Sequence, residues 1–399
     1  MTKKRIFLVT VFSLALILIS CEQESQLVGA GSTGPSNSGD PVVDWIYSFT
    51  DGTISKAYCV DNAVDGGFIL SGSSDDELKT YLVKTSSDGA EEWSKSFDLF
   101  AGKEYGYAVK SCVDGSFTVA GYGELRDDSL LTQAFLFHID AEGDSAWLSS
   151  FAGNIGDQAL SLEFTNDWGY ILAGKVNYHY GLIRTNASGE QIWAQHYGVA
   201  SGSNVRAIRA HTTPNGFITI GIDYSITNIL LRKFDYNGEF EWDQLIDAQQ
   251  PLTATDLKVC SDNGYCLTGY TSPLNSSNQD IFFLRTDELG ENELLTYYTF
   301  EGFSSKGKSI QQVSGGAYVI AGDVAATDSL SEWNDITLFK IDTAGDLDWS
   351  IIAGLYENNY ANSLVVTDDL SFVVAGYTES DSTNNSEALL LKIIQVESE

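Results

Sequence analysis

Apolar and polar positions along this chain repeat one pattern seven times. A turn, an aromatic, a short apolar run and a glycine recur as GFILSG ending at Gly72, SFTVAG at Gly121, GYILAG at Gly174, GFITIG at Gly221, GYCLTG at Gly269, AYVIAG at Gly322 and SFVVAG at Gly376. The aromatic always stands four residues before the glycine (Phe68, Phe117, Tyr170, Phe217, Tyr265, Tyr318, Phe372). Successive glycines are 49, 53, 47, 48, 53 and 54 residues apart, a period that belongs to a repeat architecture. These runs are apolar at nearly every position rather than at alternate ones. They predict strands buried on both faces.

A second phrase follows each of the first: YLVKTSSDG, FLFHIDAEG, GLIRTNASG, LLRKFDYNG, FFLRTDELG, TLFKIDTAG and, without its glycine, ALLLKI. Each reads as a strand entering a Gly-containing hairpin turn. Four residues beyond the turn glycine stand Trp93, Trp147, Trp193, Trp242 and Trp349, with Leu294 in the fifth unit, and each opens a further short strand. With the segment that precedes each aromatic phrase, every unit is predicted to hold four antiparallel strands. A lone sheet of this kind leaves apolar faces wet. Seven stacked around an axis cover one another, and closure removes the raw ends. The fold class is therefore all-β, a seven-bladed β-propeller of four-stranded antiparallel blades. The seventh unit stops short of its fourth strand. Residues 44–49, DWIYSF, have the Trp and aromatic spacing of a fourth strand with no unit of their own. They are expected to pair with residues 388–394 and close the ring.

On these motifs the chain resembles the bacterial SBBP β-propeller repeats over residues 44 to 394, and more distantly quinoprotein-like and WD40-like propellers. The resemblance implies a fold and almost nothing about activity, since propellers host many functions. The chain lacks a repeated Trp-Asp pattern, an adjacent Cys-Cys pair and a sialidase box, so no relative's chemistry carries over.

The first twenty residues break the pattern. Lys3, Lys4 and Arg5 precede an uncharged run from Ile6 to Ile19, too short to span a bilayer, as in a signal peptide. It ends in Leu18-Ile19-Ser20-Cys21, which resembles a lipobox. That resemblance implies lipid attachment at Cys21, removal of residues 1–20, and a membrane held through the lipid. Residues 21–43 read as the lipidated Cys and a flexible tether, and 44–399 as the propeller. Glu22 and Glu24 lean the expected location, an outer-membrane lipid anchor in the cell envelope, towards the cell surface.

The 22 Lys and Arg stand against 55 Asp and Glu, a formal charge of −33. A nucleic-acid partner is excluded on charge. Besides Cys21 there are Cys59, Cys112, Cys260 and Cys266, without metal or redox spacing. Cys260 and Cys266 flank SDNGY; a short hairpin there sets them opposite each other, as two buried thiols or as a disulfide.

A basic residue sits five before each turn glycine: Lys84, His138, Arg184, Lys233, Arg285 and Lys340, with Lys392 in the seventh unit. A residue fixed by the repeat serves the repeat, and an ion pair near the turn is the expected role. A functional site should break the symmetry. The asymmetry lies in the loops between second and third strands, whose residues Tyr122, Tyr178, His179, Tyr224 and Trp333 are the candidate ligand face. Asp328, Glu332 and Asp335 match no calcium-loop spacing, and no metal or cofactor is expected. The four histidines form no metal or catalytic motif, and no nucleophile elbow or phosphate loop occurs. The expected function is a non-enzymatic, monomeric binding or scaffold lipoprotein for a glycan or protein. The alternatives are a polysaccharide-active enzyme and a structural subunit of an envelope complex.

Overall fold

The computed structural model describes residues 3–6 and 39–395, apart from short stretches at 53, 126–130, 152–155, 178, 198–204, 224–227, 247, 249, 272–277, 301, 327–332, 356–357 and 381–384. The chain is all-β: seven four-stranded antiparallel blades arranged as a β-propeller. Blade one holds Ser55–Asn62, Phe68–Ser74, Lys79–Thr85 and Glu91–Phe97 in spatial order. The other blades repeat that order. Their first strands are Glu104–Ser111, Gln158–Phe164, Val205–Thr213, Leu252–Val259, Phe303–Gln312 and Asn358–Val366. All seven first strands line one axial cavity. Lys3–Ile6 runs parallel to Tyr297–Phe300 on the outer edge of blade five.

Ring closure follows the expected route. Pro41–Phe49 is the fourth strand of blade seven, antiparallel to Ser386–Gln395, with Trp45 opposite Lys392 and Phe49 opposite Ala388. The strand begins at Pro41, so the last three residues assigned to the tether belong to the ladder.

Burial explains the composition of each strand. Phe68–Ser74 is buried at every position, whereas the outer strand Gln191–Tyr197 is buried at none. The apolar side chains form seven clusters, each shared by two neighbouring blades. One joins Leu364 and Leu389 of blade seven to Val319 and Leu338 of blade six; another joins Leu390 of blade seven to Leu70 and Val83 of blade one. Because the seventh cluster closes the circle, no blade keeps a bare apolar face.

Two glycines show why the repeat spells as it does. Each first strand carries a bulge opposite the repeat glycine, as between Ala57 and Cys59. The bulge presses the chain inward, and a Cβ on Gly72 would overlap the Lys56 carbonyl oxygen. The turn glycine serves the neighbouring blade. Gly89 has φ +83°, and Trp45 of blade seven lies against it; Gly143 and Gly238 meet Trp93 and Trp193 in the same way. The Trp93 and Trp193 indole N–H groups donate to Ala141 and Tyr236 carbonyls of the next blade. In the fifth unit Leu294 meets Gly345, and the Tyr298 hydroxyl donates to the Gly345 carbonyl. Trp349 faces blade seven, whose third and fourth strands are not joined by a turn, and its buried N–H has no acceptor among the described residues.

Candidate ligand-binding mouth

The first strands are stitched to one another around the whole axis. Ser111 N–H donates to Asp61 between blades one and two (2.9 Å); Lys110 pairs with Glu163 between two and three (3.1 Å); His211 meets Glu163 between three and four (3.3 Å). Arg209 pairs with Asp256 between four and five (3.1 Å), and Ser309 and the Ile310 N–H donate to Asp256 from blade six. Gln311 donates to the Leu364 carbonyl, and Asn362 to that of Ala57, which completes the circle.

Electrostatics in this ring follow from burial and pairing. Burial works against the Glu163 carboxylate, but Lys110, His211 and Lys258 overcome it and lower its pKa to about 2. Burial, with Lys258 beside it, lowers His211 to about 4, so the imidazole is neutral at pH 7. Asp256 is held below the ordinary carboxylate range by Lys258 and Arg209 despite its burial. The ring lines an axial cavity of about 80 Å³, and the Glu163 and Asp256 carboxylates are engaged by cations.

The channel mouth is different. The first strands begin at the end onto which the second-to-third connections open. There the bulge throws Tyr58 and Tyr107 out of the ladder, and Tyr105 lies in register with Tyr122. Tyr58 stacks on Tyr107 (4.9 Å between centroids), and Tyr107 on Tyr105 (5.7 Å) and Tyr122 (5.6 Å). Tyr360 stacks on Tyr377 at 4.7 Å in blade seven, and the Lys56 ammonium lies 4.8 Å from the Tyr377 ring centroid. The six tyrosines form a half-buried crescent across blades seven, one and two. The corresponding first-strand positions in other blades hold Gln158, Leu160, Thr253 and Thr255.

Hydrogen bonds fix the crescent. The Tyr58 hydroxyl shares a 2.8 Å bond with Ser73, and the Tyr105 hydroxyl donates to Glu77 at 2.8 Å. Glu77 also receives Lys103 at 2.8 Å; these donors outweigh partial burial and hold its carboxyl below its usual range. Burial raises the Tyr58, Tyr105 and Tyr377 phenols above their ordinary value, so all three are neutral donors. Glu104 anchors the connection beneath the rim through the backbone N–H groups of Thr80, Leu99 and Phe100 and the Thr80 hydroxyl. Burial pushes its carboxyl up to about 7.

Of the residues singled out in the sequence, Tyr122 belongs to this crescent. Trp333 packs on Phe303 (5.4 Å) and is half-buried. His179 lies on the third strand of blade three, away from the axis, with its ring 5.2 Å from His196 and its Nδ1 buried without a partner among the described residues. Tyr178, Tyr224, Asp328 and Glu332 lie outside the described residues, as does Cys21. Asp335 is bound by Asn359 at 2.9 Å, and burial pushes its carboxyl up to about 6. Tyr58, Tyr105, Tyr107 and Tyr360 were missed because they sit on first strands, which read as scaffold, while Tyr377 follows its repeat glycine on a second strand, in the slot that Tyr122 fills in blade two. The available signal was the unequal filling of matching repeat positions.

The repeated cations are clamps. Lys84, buried, binds Asp65 of the first hairpin and Glu92 of the fourth strand, both at 2.7 Å, and donates to the Thr85 carbonyl. Arg184–Asp167, Lys233–Glu241, Lys340–Asp348 and Lys392–Asp369 repeat the theme, and His138 stacks on Trp147 instead. The Asp two residues on caps the turn, as where Asp287 accepts the Leu289 and Glu291 N–H groups. The four described cysteines are free thiols. Cys266 faces Lys258 in the ladder, and the Cys260 N–H bonds to Gly264, so the two cysteines are diagonal rather than opposite as expected.

No protein-family model and no curated protein matches the sequence. Among solved structures the chain is similar to a puromycin hydrolase, with a TM-score of 0.52 and 11% identity, over 85% of this chain and 53% of that one. It thus spans about half that enzyme's length. It is also similar to Drosophila Plexin A in complex with Semaphorin 1b, with a TM-score of 0.50 and 9% identity, over 90% of this chain and 88% of that one. At such identities the likeness is one of fold, and it embraces a hydrolase and a binding protein alike.

Proposed function

We propose that this protein is a non-catalytic binding lipoprotein, tethered to the cell envelope through lipidated Cys21, that takes a saccharide at the tyrosine-rimmed mouth of its propeller. The SBBP-like repeats supply the rigid ring, residues 1–20 are the signal peptide, and the segment after Cys21 is the tether. The observation that carries the reading is the crescent of six tyrosines, which breaks the repeat where the second-to-third connections open. Phenol rings offer apolar faces to a sugar's C–H groups, and their hydroxyls offer hydrogen bonds; such rigid amphipathic rings gain contact area at low entropic cost. A binding role rather than hydrolysis is favoured because Glu163 and Asp256 beneath the mouth are tied into ion pairs, while Asp61 is held by the Ser111 N–H deep in the ring rather than at the tyrosine rim.

The test is binding of the full chain to an oligosaccharide array. Tyr107→Ala and Tyr377→Ala should each lower affinity for a hit at least tenfold. Trp168→Ala, at an exposed hairpin turn elsewhere, should leave it unchanged. Equal binding by all three variants refutes the mouth as the site.

A further inference from the structure

The first strands differ in charge from the rest of the chain. They carry seven Lys or Arg against four Asp or Glu, in a protein whose acids outnumber its bases 55 to 22. Most cations here are spoken for. Among the described residues at least fifteen lysines and arginines have a carboxylate within 4.0 Å, among them Lys56 with Glu379 (3.2 Å) and Lys308 with Asp323 (3.0 Å) at the mouth.

Lys306 differs from these fifteen. It is exposed and has no carboxylate partner among the described residues, although acids are abundant. Its ammonium lies 5.5 Å from the centroid of the Tyr270 ring. Its place in the fold is informative. Lys306 stands in register with Asp323, the residue after its blade's repeat glycine, just as Tyr105 stands opposite Tyr122 and Tyr360 opposite Tyr377. Lys306 therefore occupies, in blade six, the position that tyrosines occupy on the crescent, and blade six adjoins blade seven. The mouth thus carries, one blade beyond its aromatic arc, a cation that lies over Tyr270 of blade five and has no carboxylate within 4.0 Å among the described residues, although Asp323 opposite it interacts with it through space.

Resting on the mouth as a saccharide site, we infer that its ligand is an acidic saccharide, whose sugar ring packs on the tyrosine arc and whose carboxylate or sulfate is bound by Lys306. A low-dielectric wall of stacked rings strengthens a charge contact beside it, and a surrounding negative surface disfavours anions everywhere else on the protein. Specificity for an acidic sugar then comes from one local cation against a repelling background.

The experiment uses the full chain and an array of neutral, uronate-bearing and sulfated oligosaccharides, with each anionic hit measured again after carboxyl reduction or desulfation. The expected result is a set of anionic hits that weaken at least tenfold on neutralisation, at least tenfold in Lys306→Gln, and progressively with added salt; the two neutralisation arms identify which acid is read. Hits that are neutral, or anionic hits indifferent to both neutralisation and Lys306→Gln, overturn this inference, while their loss in Tyr107→Ala keeps the mouth as the site. Absence of any hit, or hits indifferent to Tyr107→Ala, overturns the site and the inference together.

Discussion

The indole of Trp45 lies against Gly89, so close that a Cβ there would come within 2.8 Å of the ring. The contact joins the chain's first propeller strand to the hairpin turn of blade one. It is the same contact that Trp93, Trp147, Trp193 and Trp242 make with the turn glycine of the next blade, so the seam is sealed like those junctions. Gly89→Ala combines a left-handed backbone position with a steric clash, and should destabilise the protein by about 2 kcal/mol in urea unfolding. Gly52→Ala, where a Cβ meets nothing within 4 Å, is the control and should change little.

Closure by Pro41–Phe49 makes stability depend on residues before Asp44. A chain that starts at Asp44 loses the pairs of Pro41, Val42 and Val43 with Gln395, Ile394 and Ile393. It should unfold at lower denaturant than one that starts at Gly39. A chain that starts at Thr50 leaves Leu389 and Leu391 of blade seven without Ile46 and should aggregate or fail to fold. Equal midpoints for the first two chains would mean the added pairs contribute nothing.

The axial ring predicts an acid limb in stability. Glu163 has a folded pKa of about 2 against an ordinary 4.5; its contribution is present above pH 4.5 and is lost as pH falls through 2. His211 titrates near 4 when folded and 6.5 when unfolded, so protonation favours unfolding and stability falls between pH 6.5 and 4. His211→Asn should flatten the upper limb and, by removing one of the groups that lower Glu163, shrink the lower one while Lys110 and Lys258 keep part of it. Unfolding midpoints measured from pH 8 to pH 3 check this, and an unchanged slope between 6.5 and 4 in the variant contradicts it.

Lys84 binds two carboxylates and a carbonyl while buried. Lys84→Met keeps the stem but leaves the Thr85 carbonyl without its ammonium donor. It should cost about 1–3 kcal/mol by chemical denaturation and leave saccharide affinity unchanged. A variant that folds normally but loses binding would return the repeated cations to the list of functional residues.

Blade number, strand order and the borrowed strand were legible because seven copies average out local noise. Phe68 to Gly72 and its six counterparts mark buried strands that any single copy would leave ambiguous with a helix. The role of Lys84 was legible for the same reason, since symmetry pointed to a clamp. The site was legible only through Tyr122. Tyr58 and Tyr107 leave the ladder at a bulge, and a bulge is set by backbone packing against Gly72 and Gly121 rather than by a local sequence signal. That Cys260 and Cys266 are diagonal depended on register within one hairpin, which a turn assignment off by one residue reverses.

The most direct test of the mouth as the binding site is hydrogen–deuterium exchange of the full chain with and without a saturating array-derived oligosaccharide. Protection is expected in the segments that carry Tyr58, Tyr105, Tyr107, Tyr122, Lys306, Tyr360 and Tyr377, with none at the outer strand Gln191–Tyr197. Protection confined to outer strands, or to the hairpin turns at the opposite end of the channel, would contradict the account.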